Sequence, residues 1–389
     1  MKRDAVSATA RAPRKTVIAA VSPLASGAAH FNGAMVSAMA RSGVVDVISW
    51  RRMYPPLVYR GQRADDSPPR GRRPEAAFVL DWHDPRTWRR AVRRMAAFDS
   101  DALILPWLHP VMTLPYRYFL RHAPASMTRV VICHNVAPHE RFPGVGRLTQ
   151  AVLRHADVLV THAPHQRDEL ASIGLGAVPV LEGFHPRFDA TTIAPQPSEK
   201  ERLLERARHG NPDLLLLTFG SIRPYKGVDI ALDALALVDP SVRVRLVVAG
   251  RSWGGGQALR DQATRLGLEG RVVFRDGYVS DAETALLFGA ADASLLPYRS
   301  ASQSGVVQLS FGYGRPVIAT RVGGLPAAVQ DGVDGILCEP DAGSVAATIE
   351  RMALEHTQLA AAGVRAGALD HSFDRYCALV DAAVASRRR

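Results

Sequence analysis

The stretch Phe219-Gly220-Ser221-Ile222-Arg223-Pro224-Tyr225-Lys226-Gly227-Val228-Asp229 is the richest in chemistry. An apolar strand runs into a turn bearing two cations, and a helix begins near Gly227. Arginine offers a bidentate fork and lysine a mobile point charge, together suited to a pyrophosphate. A solvated turn before a helix is the plainer reading. Lysine is a distinctive choice here, however, because only four of the 48 basic side chains are lysines. A second stretch, Pro297-Tyr298-Arg299-Ser300-Ala301-Ser302-Gln303-Ser304-Gly305-Val306, links a strand end to a helix start. Ser304 and Gly305 allow close backbone approach, and a helix N-terminus offers unpaired N–H groups and partial positive charge. By itself Ser-Gly is an ordinary cap. Paired with Arg223 and Lys226 from a neighbouring strand end, it forms a second wall for a diphosphate.

These stretches need strands that deliver them to one cleft. Strands are expected over 16–21, 44–50, 102–106, 130–133 and 158–161, with helices ending near Gly43 and around 86–98, 114–121 and 147–155. A second series has strands over 214–219, 243–249, 272–275, 293–296 and 316–319, and helices over 228–238, 257–266, 282–290 and 306–312. Alternating strand and helix predicts α/β architecture: two doubly wound, Rossmann-like domains, with ligands at the carboxyl ends of the strands. The expected division is a loose basic tail over 1–14, a first domain over 15–190 and a hinge over 191–212. A second domain covers 213–370, and a last helix, about 371–389, is expected to pack back on the first. The stretch 61–74, rich in Pro, Arg, Gly and Asp, reads as a surface loop.

Composition limits the function classes. A chain of 389 residues with 47% hydrophobic and 22% charged residues suits two folded domains rather than extensive disorder. No apolar run is long enough to cross a bilayer, and no apolar segment or cleavage site follows the basic N-terminus, so no export signal is expected. Cys133, Cys338 and Cys377 form neither a disulfide framework nor a zinc spacing, which suits a reducing cytoplasm. The net charge of +11 invites anionic partners. The chain nonetheless lacks helix-turn-helix, zinc-finger and aromatic-rich RNA-binding patterns, so no nucleic-acid partner is expected. The stretch 85–98 sets Trp88, Val92 and Met95 on one helical face with Arg89, Arg90, Arg93 and Arg94 elsewhere. Such a helix suits packing onto the sheet, and also peripheral contact with an anionic membrane. Asp99-Ser100-Asp101 imitates a metal-binding Asp-x-Asp, but lies before the amino end of a strand, the wrong end for a ligand.

Residues 214–350 resemble the donor-binding domain of family 4 glycosyltransferases. GSIRPYKGVD resembles that family's phosphate turn, and DGYVSDAETALLFGAADASLLPY its strand-helix-strand before the donor loop. GRPVIATRVGGLPAAVQDGVDGILCEP resembles its final sheet strand and the glycine turn that follows. In the first half the match is thinner, covering PLASGAAHFNG and VVICHNVAPHE. The resemblance implies the GT-B fold and a retaining, metal-independent transferase of hexosyltransferase type. It uses a nucleoside-diphosphate sugar as donor substrate and no other cofactor.

The resemblance also implies roles for single residues. His134, at a strand end, matches the histidine that faces the donor sugar; by its position alone it reads as a buried, satisfied histidine. Arg223 and Lys226 join it as the expected catalytic set. Gly27, Ser221, Tyr278, Val279, Ser302, Gln303, Ser304, Gly305, Val306 and Gln308 are the expected donor contacts, with base recognition along the 277–279 turn. His109, Asn135, His139 and Glu140 are expected near the acceptor. Three positions depart from the family pattern. Its two donor-loop glutamates, eight positions apart, fall on Ala301 and Leu309; the second holds ribose hydroxyls, so Gln308, or Ser302 and Gln303, must serve instead. Its phosphate arginine falls on Ser221, so Arg223 must reach from two residues on. Two other readings use the same fold: a nucleotide-sugar 2-epimerase, whose acid/base carboxylates the donor loop lacks, and a non-catalytic glycosyltransferase-like partner protein.

Overall fold

The computed structural model describes residues 11–21, 27–53, 75–136, 144–188, 196–360 and 371–387. The expected loop at 61–74, residues 191–195 of the expected hinge, and the weak acceptor candidates His139 and Glu140 lie outside them. The first domain comprises β1 (Arg14–Ile18), α1 (Gly27–Ser42), β2 (Val44–Arg52), β3 (Ala76–Asp81), α2 (Pro85–Phe98), β4 (Ala102–Trp107), α3 (Thr113–His122), β5 (Thr128–Cys133), α4 (Val145–Leu153), β6 (Val158–Thr161), α5 (His165–Ser172) and β7 (Val180–Glu182). Its sheet has the order β3-β2-β1-β4-β5-β6-β7, every pair parallel. The central strands β1, β4, β5 and β6 are buried on both faces, which is why they read as unbroken apolar runs. Trp88, Met95, Tyr116, Phe119 and Leu153 from α2, α3 and α4 cover one face, while Phe31, Met35 and Met39 from α1 cover the other.

The second domain begins with α6 (Glu199–Arg208), followed by β8 (Leu214–Phe219), α7 (Val228–Leu237), β9 (Val244–Gly250), α8 (Gly256–Arg265), β10 (Val272–Asp276), α9 (Asp281–Ala290), β11 (Ala293–Leu296), α10 (Gly305–Gly312), β12 (Val317–Thr320), α11 (Leu325–Ala328), β13 (Gly335–Cys338) and α12 (Ala342–Gln358). Its six parallel strands run β10-β9-β8-β11-β12-β13. Strand order reverses between β1 and β4 in one sheet and between β8 and β11 in the other. Such a reversal opens a crevice at the carboxyl ends of the central strands. Both chemistry-bearing stretches leave from the second crevice, one from β8 and one from β11.

Several expectations change. The first strand begins at Arg14, inside the segment expected to be a loose tail; the Arg14 amide donates to the Asp101 carboxylate at 2.7 Å, and Arg11 pairs with Asp99. Asp99 and Asp101 therefore tie down the amino edge of the sheet. The span 191–212, expected as a hinge, contains a helix opened by a capping box of Ser198 and Glu201. Its buried Glu205 pairs with Arg275 of β10 at 2.5 Å, docking α6 to the second domain. Strands β3, β7 and β13 and helices α5, α11 and α12 were not anticipated.

The last helix, α13 (Phe373–Ser386), lies on the first domain. Tyr376, Cys377 and Val380 share a core with Phe31 and Met35, and buried Lys15 pairs with Asp381 at 2.6 Å. The domains also meet at a buried ion pair, Arg187 to Asp334 at 2.6 Å, with the Arg187 guanidinium 4.2 Å over the Phe311 ring. Burial raises the Asp334 pKa against the pull of Arg187. Replacing Arg187 with methionine strands that carboxylate and is expected to cost about 3 kcal/mol. The loss should shrink as pH falls and Asp334 protonates, a dependence that urea unfolding at pH 7 and pH 5 would reveal.

Candidate active site

At the end of β8, Gly220 takes φ +93°, a left-handed conformation that favours glycine. A β-carbon there would lie 3.1 Å from Lys226 Nζ, so the glycine makes room for the lysine. Residues Pro224–Lys226 form a 3₁₀ turn that folds Lys226 back beneath the strand end. Its ammonium is buried, donates to the Phe219 carbonyl at 3.1 Å, and lies 5.5 Å from the centre of the Tyr298 ring. Among the described residues no carboxylate lies within ion-pair distance. Burial lowers its pKa; Tyr225 pulls the other way, and the neighbouring charge of Arg223 lowers it further. Arg223 rests against Trp253, 5.0 Å from the ring centre. Gly227 at φ +64° lets the turn approach β11, since a β-carbon would fall 1.9 Å from the Pro297 carbonyl oxygen.

The second wall stands as its sequence suggests. Ser304 occupies the N-cap of α10 without a side-chain capping bond; its hydroxyl interacts with Tyr298 instead, whose phenol burial pushes up to about 12. The start of α10 therefore has no side chain closing it. Ala301, at the position of the family's first glutamate, is buried, and its carbonyl accepts from Gly324 at 2.9 Å. Leu309, at the second, packs against the apolar core around Phe31. Gln308 is buried, and its Oε1 has no hydrogen-bond partner among the described residues.

From the first domain, β5 delivers His134 to the same junction. Its ring stands edge-on to Phe31, centroids 4.5 Å apart. Gln303 reaches across the cleft, its Nε2 3.0 Å from the His134 carbonyl and 3.2 Å from His134 Nδ1. Burial lowers the His134 pKa to about 3, with a further push from His185. His162 and His185, which the sequence did not single out, line the same cluster; His162 Nε2 lies 2.9 Å from the Tyr376 hydroxyl. The other candidates are more dispersed. Gly27 opens α1, and His30 one turn on lies 3.7 Å from Asp281 across the cleft. Tyr278 is exposed and Val279 half-buried in the turn before α9; Ser221 is exposed at the β8 end, and Asn135 is half-buried beside His134. His109 caps its own turn, accepting from the Val111 amide at 3.1 Å, so that ring nitrogen is committed to the backbone.

Residues 213–355 match the family model described as Glycosyl transferases group 1. Most of the second domain is therefore similar to this glycosyltransferase group. The chain is 32% identical over 252 residues to a D-inositol 3-phosphate glycosyltransferase of Mycolicibacterium gilvum, spanning 62% of this chain and 52% of that protein. A Mycobacterium bovis protein of the same name is 32% identical over 282 residues, 69% of this chain and 55% of that one. The chain thus spans about half the length of the curated relatives it matches. Sucrose-phosphate synthase from Thermosynechococcus elongatus superposes with a TM-score of 0.72 at 17% identity, covering 96% of this chain and 98% of that one. Anabaena Alr3699/HepE, in complex with UDP and glucose, superposes at 0.71 and 18%, covering 96% and 100%. The two domains therefore adopt the GT-B arrangement, and the crevice between β8 and β11 belongs to the domain that the family model covers. Among the described residues no helix is long and apolar enough to cross a membrane.

Proposed function

We propose that the protein transfers a glycosyl group from a nucleoside-diphosphate sugar, with retention and without a metal, to an acceptor held by the first domain. Lys226 carries this reading. An ammonium buried without a carboxylate is costly unless an anion completes it, and the described residues at the end of β8 bring none within reach. A diphosphate seated between Lys226, Arg223 and the first amides of α10 supplies that anion. The same groups then stabilise the charge growing on the leaving phosphate as the glycosidic bond breaks. His134 faces the sugar from the first domain, and the leaving phosphate accepts the acceptor's proton. Closure about the segment 191–212 excludes water. The names of the relatives support glycosyl transfer, and the UDP-bound neighbour supports this donor class.

The test is a melting-temperature panel with UDP, GDP, TDP, ADP and CDP, followed by product detection with the matching sugar donors. A ligand at a hundred times its dissociation constant adds about 2.7 kcal/mol to the native state. One diphosphate raising the melting temperature and supporting product formation is the expected result. A protein indifferent to all five would instead be a glycosyltransferase-like partner.

The acceptor side suits an anionic bilayer surface. Helices α2, α3 and α4 lie on one face of the first sheet and contain no Asp or Glu. Arg89, Arg90 and Arg93 of α2 are exposed, beside the exposed Leu114 and Leu148. The protein is expected to cosediment with vesicles containing phosphatidylserine and not with pure phosphatidylcholine. At about 1 kcal/mol for each arginine near the surface, Arg89→Gln/Arg93→Gln should weaken binding more than tenfold.

A further inference from the structure

We infer that Gln303 is a positioning residue that fixes His134 as a hydrogen-bond donor towards the sugar, and does so only when the two domains are closed. The inference rests on the reading of His134 as the residue facing the donor sugar. The atoms decide the direction of each bond. Gln303 Nε2 lies 3.0 Å from the His134 carbonyl oxygen, which can only accept, so the amide nitrogen is the end that belongs there. The same nitrogen lies 3.2 Å from His134 Nδ1. An amide N–H can meet Nδ1 only if Nδ1 carries a lone pair, which leaves the ring proton on Nε2. That Nε2 is buried and has no hydrogen-bond partner among the described residues. A buried N–H without a partner is costly, and the hydroxyl oxygen of a sugar in the cleft would satisfy it. The Gln303 side chain also interacts with His162, opposing the effect of burial on that ring.

The rest of the junction separates positioning from simple packing. His134's backbone is also held from within its own domain. Gln166 donates to the carbonyls of Cys133 and His134, at 3.2 and 3.4 Å, and its own Oε1 accepts from the His162 and Ala163 amides. Removing Gln303 therefore leaves the strand end in place and releases only the ring. Gln303 leaves the second domain just before α10, whereas His134 ends β5 of the first. Opening the cleft breaks this bond and frees Nδ1 to take the proton. His134 is thus ready to donate only in the closed form, and with its Nδ1 engaged and its Nε2 protonated it serves as a donor rather than as a general base. A glutamine performs this task where a carboxylate would not, because a carboxylate accepts and would draw the ring proton to Nδ1.

The experiment is two-bond proton–nitrogen correlation on the full chain labelled with ¹⁵N-histidine. The His134 signal is assigned by its loss in His134→Gln, and Gln303→Ala and near-isosteric Gln303→Glu are compared with the wild type. The wild type is expected to show His134 as the Nε2–H tautomer from pH 6 to 8. Gln303→Ala should mix the tautomers, and Gln303→Glu should move the proton to Nδ1 or charge the ring. In transfer assays Gln303→Glu should lose at least tenfold in kcat, with a smaller change in the KM for the donor. A wild-type Nδ1–H tautomer, or a tautomer indifferent to both substitutions, overturns the inference. A tautomer that follows Gln303 in a protein that transfers from no donor upholds the positioning and overturns only the transferase reading.

Discussion

Lys226→Met is expected to lower glycosyl transfer by about 10²–10³-fold, the loss usual for removing one preorganised group that stabilises developing charge. Methionine keeps most of the lysine's length and apolar stem, so the substitution isolates the charge. In the free protein that charge is buried with a single carbonyl and an aromatic ring for company. Its removal deprives the Phe219 carbonyl of a donor but also relieves the burial that lowers the lysine's pKa. The two effects oppose, and the variant should unfold within about 1 kcal/mol of the wild type. Activity and stability are thereby separated. The loss should fall on kcat as well as on kcat/KM, because the leaving phosphate bears more charge in the transition state than in the bound donor. Melting-temperature gain with the preferred diphosphate should fall in parallel. A variant with unchanged kcat and an undiminished gain would remove Lys226 from the phosphate site.

The two-domain fold was legible because strands of parallel sheets are buried on both faces. Runs such as 214–219 and 244–250 therefore stand out as apolar blocks between helices. Elements without that signal were missed: β7 is three half-exposed residues, and α5 carries His165, Gln166, Arg167, Asp168 and Glu169 in its first five positions. The phosphate turn was readable from local chemistry, because lysine, glycine and a strand end lie within a few residues of one another. Cross-cleft partners were not. Gln303 and His134 are 169 positions apart, and Arg187 and Asp334 147, so no periodicity or spacing links them. Ala301 shows a third kind of limit. The register located the missing glutamate, but only the structure shows how the loop there is held: a β-carbon added at Gly323 or Gly324 would collide with the Ala301 or Ser302 carbonyl oxygen. The donor loop is held by backbone contact there, and it reaches the first domain through the neutral amide of Gln303.

Acid should unfold the protein through the histidines at the same junction. His134, His162 and His185 are buried together, and burial is the largest cause lowering each pKa, to about 3 for His134, about 4 for His185 and well below the usual value for His162. They face Phe31, Tyr376, Gln166 and Gln303, and no carboxylate contributes to any of the three shifts. In the unfolded chain each titrates near 6.5. Between that value and the folded pKa the unfolded state binds more protons, so stability rises with pH. The contribution is full above about pH 6.5 and falls as pH drops towards 4. From pH 7 to pH 5 each histidine removes about 2 kcal/mol, and the three together about 6 kcal/mol, on the scale of a domain's whole stability. Because α13 supplies Tyr376 to His162 and the second domain supplies Gln303 to His134, protonation should loosen the first domain from both elements at once. Melting curves from pH 7.5 to pH 5 should therefore steepen below pH 6.5, and His185→Gln should remove about a third of the slope. A melting temperature level down to pH 5 would mean that the imidazoles find water or a counter-charge on protonation, and that the cluster opens more readily than its packing implies.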